Sequence, residues 1–391
     1  MTSQPIDRAR AHNANTRAMA ALRAGDAPTA ILAAREAADA DPEAISLWIN
    51  LALACRTGGD TPGERIALER ALDLDRLDFT AQLRMAQLLQ REGEETKALI
   101  AWDAVLQLAQ RFPGLPDPVR TELAAGEAYC DKLRARLAVA ARAALEAVQE
   151  GTSETERRRI GAFAGIALGE RRIYQNECAG LHYPFLPADE FFDRGHFPWF
   201  AALEAEAGAI RAELDALLME PGEVIRPYVR MEPGSPENKW TPLDGSLDWS
   251  ACFLWEYGVP NAAVIERCPR TARILESLPL ARIPGRAPNA FFSVLRPRSR
   301  IPAHTGVTNT RAIIHLALDV PPGCGFRVGG ETREWVEGEA FAFDDTIEHE
   351  AWNDSDARRA VLIIDAWNPH LSERECASIN AYFAANDIAL S

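Results

Sequence analysis

The chain has 391 residues, of which 47% are hydrophobic and 25% charged, a balance that suits globular domains and, at roughly 150 residues each, two or three of them. Its formal charge of −15 repels phosphate backbones, and no basic stripe with interleaved aromatics occurs, so a nucleic-acid-binding class is excluded while a cationic peptide or protein remains acceptable. No stretch of about 18 apolar residues and no signal-like N-terminus is present, and the seven cysteines (Cys55, Cys130, Cys178, Cys252, Cys268, Cys324 and Cys376) never form a CxxC pair; a cytoplasmic protein with reduced thiols and no membrane insertion is expected.

From the N-terminus, Gly25-Asp26, Gly59-Asp60 and Gly93-Glu94 recur at spacings of 34 and 34 residues, the period of the tetratricopeptide repeat. The register extends to Ala30, Glu64 and Ala98, to Ala37, Ala71 and Val105, and to Ala52 and Ala86, mostly the small residues that let two helices approach. Trp48 and Pro42 fall where a repeat of this kind puts them, Pro42 at a helix end that it cannot extend. A longer helical pattern from Asp117 to about Val148 is predicted to cap the stack. An all-α tetratricopeptide-like domain over 1–150 follows, a surface suited to grasping peptides and carrying no chemistry itself.

The polar stretch QEGTSETERRR opens a helical linker, 151–175, in which residues 160–168 add one more helix. Beyond residue 170 lie seven of the nine Trp and five of the six Tyr, in short runs punctuated by Pro and Gly, as strands and structured loops require. Two amphipathic segments, 200–218 and within 261–278, are predicted to brace a small barrel of antiparallel strands from outside.

Within the 67 residues from Ser293 to Arg359 lie His304, His315 and His349, three of the seven histidines. A strand over TRAIIHLALDV would share one face among Arg311, Ile313 and His315, leaving the apolar opposite face for helices. A strand over RAVLIIDA would turn Arg359, Val361, Ile363 and Asp365 to one side, and a buried Arg359 needs an anion to offset its desolvation. Parity favours Arg359 over its neighbour Arg358. Singly, each histidine reads as a loop or core residue.

The segments FSVLRPRSRIPAHTGVTNTRAIIHLAL and FAFDDTIEHEAWNDSDARRAVLIIDAWNPHLS, with YPFLPADEFFDRGHFPWF and WTPLDGSLDWSACFLWEYG before them, resemble the aspartyl/asparaginyl β-hydroxylase family of Fe(II)- and 2-oxoglutarate-dependent oxygenases over about residues 180–375. Animal members also carry a tetratricopeptide-like region ahead of the catalytic domain. The resemblance implies an α+β multidomain protein whose residues 176–391 form a double-stranded β-helix (jelly-roll or cupin-like) barrel with bracing helices. It implies a dioxygenase that uses Fe(II), 2-oxoglutarate and O2, releases succinate and CO2, and hydroxylates an unactivated carbon, foremost the β-carbon of Asp or Asn in a peptide held by the repeats.

Carried over by position, His304 and His349 would be the iron ligands, with Gly306 standing where the wider superfamily has a carboxylate, so that water would take that place. Arg359 and Ser293 would hold the distal carboxylate of 2-oxoglutarate, His315 would lie near its metal-chelating end, and Asn309 and Arg311 would shape the same floor. Phe291, Phe292, Val294 and Phe343 would form an apolar wall. Asp344 and Asp345 are read as turn residues, His182, His196 and His370 as structural, and Trp335, Trp352 and Trp367 as core. Ile313 departs from the animal pattern, where a second Arg helps to hold substrate. A small molecule or a lipid acyl chain is therefore the alternative substrate class, and an inert scaffold the alternative to enzymatic function.

Overall fold

Gly25, Gly59 and Gly93 end three helices in one way. Each takes a left-handed φ of 73–74°, and the next residue's N–H reaches back to a carbonyl five residues earlier (Asp26 to Ala21, Asp60 to Cys55, Glu94 to Leu89, 2.9–3.1 Å). Only glycine takes that conformation without strain, so the turn writes itself into the sequence at every repeat. Asp26 and Asp60 then cap the following helices through their carboxylates.

The computed structural model describes residues 6–390. The chain divides into two compact units, 1–152 and 153–391. The first is all-helical: α1 (Arg8–Arg23), α2 (Ala27–Ala40), α3 (Ile45–Gly58), α4 (Thr61–Leu74), α5 (Phe79–Arg91), α6 (Glu95–Ala109) and the long α7 (Asp117–Glu146). The small residues of the repeat pattern, Ala30, Ala37, Ala52, Ala71, Ala86, Ala98 and Val105, are all fully or almost fully buried between neighbouring helices. Glu64 breaks the pattern of small side chains; buried, it is held by the Arg91 guanidinium at 2.7 Å on both carboxylate oxygens.

In the second unit a helix, α8 (Glu154–Ala167), opens with a reciprocal cap between Ser153 and Glu156. The segment 151–175 thus contains the expected helix, and this helix is counted with the second unit. Arg158 ties it down to Glu331, to Asp189 and to the carbonyl of Phe191. There follow α9 (Phe200–Ala205), α10 (Ala207–Met219), β1 (Arg226–Pro227), β2 (Trp249–Glu256), β3 (Val259–Pro260), α11 (Ala262–Ile265), α12 (Pro269–Ser277), β4 (Ala290–Leu295), β5 (Ser299–His304), β6 (Arg311–Asp319), β7 (Cys324–Val328), β8 (Glu331–Arg333), β9 (Ala340–Phe343), β10 (His349–Asn353), β11 (Arg359–Trp367) and α13 (Glu373–Leu390).

The strands form two antiparallel sheets. The larger runs β1-β2-β4-β11-β6-β9 with β3 on β2, and the smaller β5-β10-β7-β8. Strand alternation decides what each face meets. Phe292, Val294, Ile314, Leu316, Leu362 and Ile364 point outward and join Leu203, Ile210, Leu214 and Leu275 of α9, α10 and α12 in the largest apolar cluster. The opposite face meets the smaller sheet through Trp249, Leu295, Ile313 and Val361 on one side and Ile301, Phe326, Val328 and Ala351 on the other. The bracing helices are therefore as expected, but among the described residues no strand pairing closes the two sheets into a barrel. The expected wall is also corrected: Phe291 and Phe343 face inward, whereas Phe292 and Val294 lie on the helix-packed face. Adjacent residues of one strand cannot line one wall. Among the described residues no helix is long and apolar enough to cross a membrane.

Candidate functional site

A cavity of about 1080 Å³ opens between the sheets, and six of the seven residues singled out from sequence line it: Ser293, His304, Arg311, His315, His349 and Arg359. His304 ends β5 and His349 begins β10, and the two are directly opposed in the antiparallel register. Their ring centroids are 4.1 Å apart. Each Nδ1 faces the carbonyl two residues earlier, His304 that of Pro302 at 2.7 Å and His349 that of Ile347 at 3.0 Å. A carbonyl only accepts, so Nδ1 carries the proton in both rings and each Nε2 keeps its lone pair. Burial, and then the neighbouring His304, pull the His349 pKa down to about 3, and burial lowers that of His304. Two neutral imidazoles with free Nε2 atoms are the form that binds a metal ion. Among the described residues no group of three or more His, Cys, Asp or Glu is arranged to hold one.

Arg359 is 1% exposed. Its NH1 donates long bonds to Ser293 Oγ (3.3 Å) and to the Ser293 carbonyl (3.4 Å), and its Nε has no partner among the described residues. The acids near it in sequence are engaged elsewhere: Asp354 by Arg300, Asp356 by Arg298, Asp365 by Arg311. Burial lowers its pKa to about 10, so the guanidinium stays charged at neutral pH. A buried cation with unspent donors is a socket for an anion. Ser293 Oγ also accepts from Trp249 Nε1 at 3.1 Å, so its own hydroxyl proton is left to donate into the same socket. Arg358, by contrast, points away to Asp215 and Asp319.

One residue sits otherwise than expected, and another carries a partner that was not foreseen. Asn309 does not enter the cavity: fully buried, it accepts from the Tyr183 N–H (2.8 Å) and donates to the Tyr183 carbonyl (2.9 Å). It clamps the segment that crosses the HTG loop, where Ala179 and Gly180 bond the carbonyls of Gly306 and Val307. Replacing Asn309 with Ala strands two backbone groups and is expected to lower stability by about 2–4 kcal/mol in urea unfolding. Arg311 borders the cavity, but its charge is matched by Asp365 at 2.6 Å, an oxygen that also accepts from the Asn289 backbone and side chain. It reads as a neutralised wall and not as a free anchor.

Sequence reasoning missed Asp345 and Asp365, which line the cavity, and Trp249, which reaches Ser293. Parity on β2 would have turned Trp249 inward with Ala251 and Phe253. Asp365 was already on the inward face of β11, and only its tertiary partner was hidden. Asp345 follows a true turn residue: Asp344 bonds the Thr346 N–H and hydroxyl, as an entry turn should. The Asp345 carboxyl borders the cavity beside Gly306, and burial, opposed by Arg311, pushes its pKa up to about 7.

Two facing sheets, with the paired imidazoles and the uncompensated arginine turned into the space between them, make the second unit a β-sandwich domain. The aspartyl/asparaginyl beta-hydroxylase family model matches residues 204–369, within the second unit. That unit belongs to the aspartyl/asparaginyl β-hydroxylase family. The chain is 35% identical to an ornithine lipid ester-linked acyl 2-hydroxylase of Rhizobium tropici over 49% of its length and 66% of that protein. It is 33% identical to the aspartyl/asparaginyl beta-hydroxylase of Mus musculus over 47% of its length. The chain thus spans 66% and 25% of these two relatives. Solved tetratricopeptide structures also match, among them a domain of yeast Sti1 in complex with an Hsp70 peptide, at 19% identity and TM-score 0.29, covering 32% of this chain and 98% of that one.

Proposed function

We propose that the protein is an Fe(II)- and 2-oxoglutarate-dependent dioxygenase that hydroxylates an unactivated carbon. The observation that carries this reading is the pairing, in one cavity, of two imidazoles with free Nε2 atoms and a buried guanidinium lacking an anion. The order of the strands supports it: from β4 to β11 the chain crosses between the sheets at every step except the β7–β8 hairpin, giving β4-β11-β6-β9 in one and β5-β10-β7-β8 in the other, the interleaving of a double-stranded β-helix.

His304 and His349 would hold the metal, and Arg359 with Ser293 the distal carboxylate of 2-oxoglutarate. When bound, the metal and cosubstrate supply an oxidant able to attack an aliphatic C–H bond, with succinate and CO2 as by-products. The chain's part is to fix geometry and keep water out. Tyr228, Phe253 and Phe291 stack beside Trp249, extending an apolar wall from the paired histidines, while Arg230 borders the cavity and Arg226 does so with its charge met by Glu256. Such a border suits the carboxylate of Asp or the amide oxygen of Asn, and either residue in a peptide taken by the helical repeats is the first candidate. Ile313 and Ile363 on the inner wall favour the second reading, an acyl chain or small molecule.

The test is anaerobic binding of Fe(II) and 2-oxoglutarate, followed by succinate formation on admission of O2, with Asp/Asn peptides and with acyl lipids. Peptide-stimulated succinate with a product heavier by one oxygen atom is the expected result. Lipid-stimulated turnover would move the substrate to the second class, and failure to bind 2-oxoglutarate would overturn the proposal.

A further inference from the structure

The three histidines of the cavity do not all play one part, and a tryptophan outside its lining decides the difference. Trp335 lies in the loop between β8 and β9, 6% exposed. Its Nε1 meets His315 Nδ1 at 3.4 Å. The two rings are inclined by only 16°, with centroids 6.1 Å apart, the arrangement of an in-plane N–H···N bond between rings set edge to edge. The face of the same indole carries the Arg359 guanidinium, 4.9 Å from the ring centroid.

An indole N–H can only donate. His315 Nδ1 must therefore offer a lone pair, and the single proton of the neutral ring sits on Nε2. This is the reverse of His304 and His349, whose Nδ1 atoms carry the proton and donate it to the carbonyls they face. Two partner types thus sort three imidazoles: backbone carbonyls make two of them lone-pair donors, and an indole makes the third an N–H donor. In the opposite tautomer His315 would present a third lone pair to the cavity, repelling a carboxylate.

We infer that Trp335 is a positioning residue that fixes His315 as a hydrogen-bond donor to an anionic ligand in the cavity and holds the plane of Arg359 for the same ligand. The identity of that ligand as 2-oxoglutarate rests on the function proposed above; the tautomer does not. His315 is flanked by Phe326, Phe341 and Phe343, with ring centroids 5.0–5.4 Å away, none of which can exchange a proton with it. Among the described residues Trp335 is accordingly the hydrogen-bonding neighbour that sets its tautomer.

The experiment uses the full-length, metal-free protein with ¹⁵N-labelled histidine and long-range imidazole spectra, assigned by single replacement of His304, His315 and His349. In the wild type His315 is expected to show protonated Nε2 and a lone-pair Nδ1, with the reverse pattern at His304 and His349. Trp335→Phe keeps the aromatic face and removes the N–H, so the His315 signal should move to a mixture of tautomers. With Mn(II) in place of iron, its dissociation constant for 2-oxoglutarate should rise about tenfold, the worth of one well-made hydrogen bond to a charged group. Trp335→Leu, which also removes the face beneath Arg359, should weaken binding further, while kcat at saturating 2-oxoglutarate changes less than about twofold in the Phe variant. A protonated Nδ1 at His315 in the wild type would overturn the inference without any Trp335 variant having to fold. So would unchanged tautomer and affinity in Trp335→Phe. If the wild type shows the expected tautomers yet binds no 2-oxoglutarate, the proposed activity fails while the indole's control of His315 stands.

Discussion

Replacing Arg359 with methionine is expected to weaken 2-oxoglutarate binding about a thousandfold while leaving the folded protein as stable as before, or more so by about 1–2 kcal/mol. The two effects have one cause. Arg359 is buried with, among the described residues, no carboxylate within ion-pairing reach, one unpartnered nitrogen and long bonds to Ser293. In the ligand-free protein its burial is therefore a net cost, and a flexible apolar side chain of similar length removes that cost without opening a large cavity. With an anion bound, the same guanidinium supplies charge-assisted bonds that methionine cannot. Loss of function with a gain in stability is the signature of a group kept for a ligand and not for the fold. Urea unfolding in the absence of ligand, and calorimetric titration of 2-oxoglutarate with Mn(II) under argon, measure the two halves separately. A variant destabilised by several kcal/mol would mean that Arg359 is structural, and one that binds 2-oxoglutarate normally would move the anion elsewhere. Lysine at this position should recover part of the affinity, since it restores the charge but not the planar fork.

What made Arg359 legible in the sequence was parity, which needs only local information. The same is true of His315 and of the three repeat glycines, whose positive φ leaves one residue type to choose from. The misreadings are tertiary. Asn309 was taken for a floor residue because it stands beside Arg311 in the motif, yet its side chain turns to Tyr183, 126 positions earlier. Arg311 does border the cavity as its parity implied, but its ion pair with Asp365, 54 residues later, could not be seen from the strand alone. Trp335 was read as core, which its burial agrees with, but nothing local signals that its N–H points at His315. Sheet closure was equally invisible: strand pairing depends on which strands become neighbours, and no residue pattern within a strand encodes that.

Placing an aspartate at position 306, where the wider superfamily keeps a metal-binding carboxylate, is expected to abolish turnover and not to enhance it. The reason is space. A Cβ built on Gly306 would lie under 3.0 Å from all three of Cγ, Oδ1 and Oδ2 of Asp345, closer than real Cβ atoms approach. Gly306 is also bound through its own N–H to the Asp345 carbonyl at 2.6 Å, so neither backbone is free to withdraw. Its φ is not in the left-handed region, and the glycine is kept for room alone. Gly306→Asp would force a second carboxyl against one already pushed up to about 7 by burial, at an expected cost of about 3 kcal/mol in stability and at least a hundredfold in turnover. Gly306→Ala should show the steric part alone. The double variant Gly306→Asp with Asp345→Gly moves the carboxylate and clears the clash, and should regain most of the lost stability. The same crowding predicts a pH dependence in the metal-free protein. Because the folded Asp345 pKa lies above its ordinary value of 3.8, its contribution to stability is complete below about pH 4 and is lost as pH rises toward 7. Asp345→Asn should flatten that slope in urea unfolding measured across the interval. A Gly306→Asp single variant as stable and as active as the wild type would show that Asp345 swings aside freely, and that the missing carboxylate is not a matter of room.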